Sequence, residues 1–329
     1  MKKIFLFSIT IIFYYLLITV VIFSFSYVSL IYGKTYDLFW IKSIQKKIYS
    51  RGYRNIWQLN SSCTSFDKEL LYKPNIGKCN FSNPEFQTEL NFNEFSRVHN
   101  LKKIYPNQND YILVLGDSVA MGWGVNDLET FPYLLEELLN RRVYNLAVSS
   151  YGTVREIKRL KLSPYYENSK TIIIQYNSND IYENRYLDFD KTYSENDYKK
   201  IFENNEHNLN TIKFVLRNYK SSIRLFFADI ADILFKEDNM EIINFDGHKK
   251  HLEERIKKNI DTANKDVKVI FPIAPHQKVI NFPKSNSQIE YVLIELPKSH
   301  FFIVDEHPNK KGHFEIAKKL HKILKQNSD

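Results

Sequence analysis

The chain has 329 residues, 43% hydrophobic and 26% charged, enough to bury a large core and too apolar for a disordered or fibrous chain. Its formal net charge is +8, but Lys and Arg are scattered. With no basic stripe, zinc spacing or RNA-binding signature beside them, they speak against a nucleic-acid reader. Two cysteines, Cys63 and Cys79, exclude a disulfide-dense scaffold and a structural zinc site built mainly on cysteine, and allow one bridge.

Ile4 to Tyr32 carries no charged side chain. It is longer than the roughly 20 residues that span a bilayer core as helix. The expectation is an uncleaved signal-anchor over residues 1–33. A cleaved signal is the alternative, since Lys2 and Lys3 precede the apolar run and Ser24 to Ser26 offers small residues. Lysines flank both ends, so charge alone does not orient the segment. A short tail followed by a long translocated domain puts the N-terminus in the cytoplasm and the rest outside it. A Cys63–Cys79 disulfide in an oxidising compartment would agree, against the alternative of two free thiols.

Residues 34–110 read as a juxtamembrane segment and a small irregular subdomain, with turn signals at Lys73 to Asn75, Ile76-Gly77 and Asn83-Pro84 and an alternating run from Phe86 to Phe92. From Tyr111 the pattern becomes strand and helix in turn: a strand to Leu115, a helix over Leu128 to Arg141, a strand Val143 to Val148 and a helix Thr153 to Leu162. Further strands are expected at Thr171 to Tyr176, Val267 to Ile273 and Phe301 to Val304, with a last helix from about Asn309 to Lys325. Such alternation predicts an α/β fold with a parallel sheet over residues 111–329. A polar insertion at about 181–250 interrupts it, with helix candidates at Asn210 to Leu216 and Ile223 to Phe235, and His251 to Ile260 follows as a covering helix.

Ligands and reactive groups collect at the carboxyl ends of such strands. Four ends carry unusual polar residues: Gly116-Asp117-Ser118, Ser149 to Gly152, Asn177 to Asp180, and Asp305-Glu306-His307. Together they describe a nucleophilic hydrolase, with Ser118 as hydroxyl, His307 as base and Asp305 fixing the imidazole tautomer. The oxyanion of an acyl-transfer intermediate needs donors, and the available set is the Ser118 N–H, a backbone N–H within Ser149 to Gly152 and the Asn179 carboxamide.

At these residues the sequence resembles the SGNH (GDSL-type) hydrolases over roughly residues 111–325. The first block is Gly116-Asp117-Ser118 with Gly122 to Val125 and Glu129 to Pro132 behind it; the third is Asn177 to Asp180, without the usual glycine; the last is Asp305 to Asn309 with Gly312-His313. The second block aligns on Asn145 to Ser149 and puts Ser150 where the family has its oxyanion glycine, with Gly152 as the fallback donor. The family's aspartate often lies three residues before the histidine, and Asp305 lies two before, so Glu306 is the competing acceptor. The resemblance implies a flavodoxin-like three-layer α/β/α fold with no metal or organic cofactor, acting on esters. The stretch from Leu71 to Asn75 and from Glu85 to Asn93 looks like the lead-in of membrane-linked members that act on cell-surface glycans.

Trp123 and Tyr151 neighbour the site and could stack on a sugar or simply pack. His276 could line a pocket, and His313 with His321 makes a weak zinc pair. The function expected is a membrane-bound serine acyl or acetyl esterase acting on an O-acylated extracytoplasmic carbohydrate. Two alternatives stand beside it: an O-acyltransferase with the same acyl-enzyme, and a catalytically silent glycan-binding module of the same fold.

Overall fold

The computed structural model describes residues 2–98, 105, 110–203, 215–223 and 240–326. The chain opens with helix α1 (Lys2–Ile31), long and apolar enough to cross a membrane, and α2 (Phe39–Ile48), which runs into a single π-helical turn, Tyr49–Tyr53. Two antiparallel pairs follow, β1 (Thr64–Asp67) with β2 (Leu71–Pro74) and β3 (Gly77–Asn83) with β4 (Phe86–Phe92). A disulfide joins Cys63 to Cys79, with 5.2 Å between the Cα atoms, and both side chains are buried.

The sheet domain contains β5 (Ile112–Leu115), the short α3 (Ser118–Met121), α4 (Phe131–Leu139), β6 (Val143–Asn145), α5 (Thr153–Leu162), β7 (Thr171–Gln175), α6 (Asp180–Tyr186), α7 (Glu195–Glu203) and α8 (215–223). After these come β8 (Glu241–Asn244), α9 (Asp246–Asn259), β9 (Asp266–Ile273), β10 (Gln277–Ile280), β11 (Ile289–Glu295) and α10 (Lys310–Gln326). Five strands make one parallel sheet in the order β6-β5-β7-β9-β11. Counted along the sheet domain this is 2-1-3-4-5, the flavodoxin-like winding, whose switch point lies between β5 and β7.

Alternation sorts each strand between two cores. Ile112, Val114 and Ile173 face the layer of α4 and α10, where they join Phe131, Leu135, Ile316 and Leu320. Leu113, Leu115, Ile172 and Ile174 face α5 and α9, where they join Ile157, Leu160, Leu252 and Ile256. Each such fully buried aliphatic side chain contributes about 1.5–3 kcal/mol over leaving it exposed. The segment before β5 shares the first of these cores through Trp57, Leu70, Phe81, Leu90 and Phe92.

Two expectations need correction. Phe301 to Val304 is not a strand: the N–H groups of Ile303, Val304 and Asp305 donate to the carboxylate of Glu85 rather than to a neighbouring strand. The fifth strand is β11, whose alternating Ile289, Tyr291 and Leu293 contribute to the α5–α9 core. The β6 strand also ends at Asn145, three residues short of the expected Val148. Most of the two helix candidates at 210–216 and 223–235 lies outside the described residues.

Candidate active site

Ser118 sits at the switch point, immediately beyond β5. Gly116 makes the turn possible at φ 147°, where a Cβ would come within 2.7 Å of Ala120 Cβ and 2.8 Å of Gln175 Oε1. Asp117 caps α3, accepting from the Val119 N–H at 3.0 Å and from Asn177 Nδ2 at 2.5 Å. Buried Gln175 accepts from the N–H of Ala120 at 3.0 Å, and buried Arg97 holds the following loop by the carbonyls of Met121, Gly122 and Val125 at 2.7–2.9 Å. The Ser118 loop is therefore fixed from both sides.

His307 and Asp305 come from the loop before α10. Ser118 Oγ lies 2.8 Å from His307 Nε2, and His307 Nδ1 is bonded to Asp305 Oδ1. Glu306, between them, takes the left-handed conformation at φ 64°, which reverses the chain so that residues only two apart face one another. Its own carboxylate points to Lys46 at 2.6 Å, away from the imidazole. Asp305 Oδ2 accepts from the Tyr49 hydroxyl and from Trp123 Nε1, the latter at 3.1 Å. Burial would raise the Asp305 carboxyl, but His307, Arg54 and the Tyr49 hydrogen bond outweigh it and hold the group below the usual carboxylate range.

Ser150 has φ 62°, the left-handed backbone that usually asks for glycine. The loop around it is tied by its carbonyls: Tyr72 donates to the Ser149 carbonyl at 2.6 Å and Arg155 to that of Ser150. The bond from the Val148 N–H to the Gly116 carbonyl, 3.1 Å, keeps this loop alongside the Ser118 loop. Among the described residues no acceptor takes the Ser150 N–H, and the Ser118 N–H, at the first position of α3, has no acceptor within the helix. Gly152 begins α5, where a Cβ would meet Glu183 at 2.8 Å, so packing explains its glycine. Asn179 stands exposed at the start of α6 with no side-chain hydrogen bond to the helix.

The two aromatic candidates separate. Trp123 stacks on His307 with ring centres 5.2 Å apart and donates to Asp305, so it braces the imidazole and presents little surface to a ligand. Tyr151 is 1% exposed, packs edge-on to Tyr72 and donates its hydroxyl to the Tyr72 carbonyl; this corrects the expectation that it touches substrate. His276 lines a cavity of about 260 Å³ on the open side of His307, together with Asn177, Glu241, Gln277 and Phe301. His313 is buried, accepts from the Phe131 N–H at 3.1 Å and is pushed down by burial to about 3, a neutral packing histidine. No group of three or more potential metal ligands occurs among the described residues.

Sequence reasoning missed Tyr49, Arg54, Glu85 and Gln175 as site neighbours, and it missed a buried acidic cluster beside Asp117. Glu156 is buried with neither carboxylate oxygen bonded, and Asp180 has one oxygen unpaired. Burial first, then neighbouring carboxylates, Asp180 and Asp117 for Glu156 and Asp117 and Glu183 for Asp180, push both well above the usual carboxylate range.

No protein-family profile and no curated protein matches the chain. Solved structures that resemble it include a lipolytic protein of the G-D-S-L family from Desulfitobacterium hafniense, at 13% identity over 65% of this chain and 98% of that one, TM-score 0.29. A family two carbohydrate esterase from Clostridium thermocellum, solved with cellohexaose, is 10% identical over 66% of this chain and 64% of that one, TM-score 0.33. An acetyl xylan esterase from Butyrivibrio proteoclasticus is 13% identical over 68% of this chain and 65% of that one, TM-score 0.32. So distant a likeness assigns no activity.

Proposed function

We propose that the protein is a serine ester hydrolase of the SGNH type, anchored in a membrane by α1 and acting on an O-acylated carbohydrate outside the cytoplasm. One observation carries the reading: the Ser118 hydroxyl lies 2.8 Å from Nε2 of an imidazole whose Nδ1 is held by a carboxylate with a buried side chain. That is the arrangement an activated serine requires.

In the reaction His307 Nε2 takes the Ser118 proton as Oγ bonds to the ester carbon. The tetrahedral oxyanion is received by the N–H groups of Ser118 and Ser150 and by the Asn179 carboxamide. His307 then returns its proton to the departing sugar oxygen, leaving an acyl-Ser118. Water, deprotonated by the same imidazole, attacks the acyl carbon; the acyl–Oγ bond breaks as His307 returns that proton to Ser118 Oγ, and the acid leaves. Asp305 stays ionised throughout and fixes the tautomer. The cavity beside His307 is small, and its polar lining of Asn177, Glu241, His276 and Gln277 suits hydroxyl groups of a sugar carrying a short acyl chain.

Support for the anchor comes from α1 itself. Its side chains between Phe5 and Val21 are almost all exposed, and most of those exposed are large and apolar, whereas Phe23, Ser26, Ser29 and Leu30 are buried against the rest of the protein. Cleavage near Ser24 to Ser26 would remove part of that packing. The buried Cys63–Cys79 disulfide supports an oxidising compartment for the domain. Turnover of p-nitrophenyl acetate and acetyl release from acetylated polysaccharides by full-length detergent-solubilised protein tests the reading. Lack of both in folded protein would overturn it.

A further inference from the structure

Asp305 is held by residues from outside the sheet domain. It is a carboxylate whose side chain is 1% exposed, so solvent cannot satisfy it. Oδ1 is taken by His307. Oδ2 accepts from Trp123 and from the Tyr49 hydroxyl, and Arg54 Nε lies 3.7 Å away. Trp123 belongs to the loop after α3, but Tyr49 and Arg54 belong to the π-helical turn and the residue after it, at the end of α2.

That turn is built into the membrane-proximal packing. Gln45, fully buried, donates to Ser29 Oγ and the Lys34 carbonyl, both at 2.9 Å, and accepts from the Tyr36 N–H, clamping α2 to the end of α1. Tyr49 packs in one cluster with Phe23, Leu30, Ile44, Ile48 and Val304, the residue next to Asp305. The Arg54 guanidinium lies 4.8 Å over the Trp123 ring. Burial, then the Asp305 charge, raises the Tyr49 hydroxyl far above its ordinary value, so it stays protonated and can only donate to the carboxylate.

We propose that Tyr49 and Arg54 are positioning residues of the hydrolytic site, which hold the far oxygen of Asp305 and thereby set the orientation and basicity of His307. This rests on the triad reading above. The turn at the end of the anchor assembly is then part of the active site, and the site is built only when that assembly is docked. The other charged or titratable groups around the pair are Asp117 and His313 from the sheet domain, Glu85 behind the loop, Glu306 with Lys46, and Glu241 and His276 across the cavity. None of these occupies Oδ2.

Removing the Tyr49 hydroxyl or the Arg54 charge leaves the carboxylate less compensated, which favours the imidazolium. The acid limb of kcat/KM should therefore move to higher pH. In full-length detergent-solubilised protein, Tyr49→Phe and Arg54→Gln should each lower kcat for p-nitrophenyl acetate roughly tenfold, with KM within about twofold, and raise the acid limb by roughly half a unit. Arg54→Lys should recover most of the limb position. If Ser118 of the wild type reacts with a fluorophosphonate yet both variants keep its kcat and its limb, the inference is wrong. It is equally wrong if kcat falls while the limb stays put, because that is the signature of packing alone. Should Tyr49→Phe fail to fold, the partly exposed Arg54 carries the same test. An unreactive wild-type Ser118 would overturn the triad reading itself, and this inference with it.

Discussion

Glu85 Oε2 accepts the backbone N–H of Asp305 at 2.7 Å and that of Val304 at 2.8 Å, while Oε1 accepts from Ile303 at 2.7 Å and Thr35 Oγ1 at 3.0 Å. One carboxylate thus replaces the strand partner that this apolar stretch would otherwise need. Glu85→Gln turns one acceptor oxygen into a donor facing N–H groups. It should cost about 1–3 kcal/mol of stability and slow Ser118 acylation. Chemical denaturation and probe-labelling rates measure the two effects, and an unchanged denaturation midpoint would contradict the role.

Asp305 and Glu306 give opposite expectations. Asp305→Asn removes the acceptor that fixes His307 and should lower kcat by about 10⁴-fold. Glu306 pairs with Lys46, so Glu306→Gln should leave kcat within a fewfold of the wild type. Ester-hydrolysis kinetics of the two variants, with the order reversed, would move the third triad role to Glu306.

Asn179 is proposed as an oxyanion donor, worth about 2.7–4 kcal/mol of transition-state stabilisation. Asn179→Ala should lower kcat by roughly 10²–10³-fold with little change in KM. A change confined to KM would make it a substrate contact instead.

At Ser150 the φ of 62° predicts an asymmetry between substitutions. Ser150→Gly keeps the N–H and relieves the backbone, so activity should persist with stability unchanged or higher by up to about 1 kcal/mol. Ser150→Val adds a β-branched side chain where φ is positive and should lower both kcat and stability. Melting curves beside steady-state kinetics separate the cases.

Glu156 offers a test by pH. Its folded-state carboxyl is raised above the unfolded value, so the native state holds a proton that the unfolded chain releases as pH rises past about 4.3. Stability should fall from that point until pH passes the folded-state value. Glu156→Gln removes this dependence, raising the melting temperature at pH 8 relative to the wild type and not at pH 4. An equal shift at both pH values would show that the carboxyl is not held neutral.

Much of the sheet domain was legible because β5, β7 and β9 are short apolar runs buried on both faces and α4, α5 and α10 carry clear helical spacing. Phe301 to Val304 misled because apolarity does not say whether a strand or a carboxylate takes the backbone N–H groups. β11 was missed behind the Asn, Pro and Ser residues at 281–287, which carry turn chemistry and hide the start of a strand. Of the candidate site, Ser118 was visible as a polar residue after a strand, and Asp305 and His307 as polar residues ahead of the last helix, behind an apolar stretch that turned out not to be a strand. Tyr49, Arg54 and Glu85 were not, since each reaches Asp305 across more than 200 positions, and no local pattern encodes such a contact. At Ser150 the sequence carried a signal, since a serine aligned with the oxyanion glycine of the resemblance asks for an unusual backbone.

The most direct measurement is reaction of full-length protein with a fluorophosphonate probe, followed by intact mass and peptide mapping, alongside Ser118→Ala and His307→Gln. One adduct on Ser118 is expected in the wild type, none in Ser118→Ala, and labelling slowed by at least roughly 10³-fold in His307→Gln, all three remaining folded. Folded wild-type protein that takes up no probe, or an adduct that persists in Ser118→Ala, would contradict the triad reading.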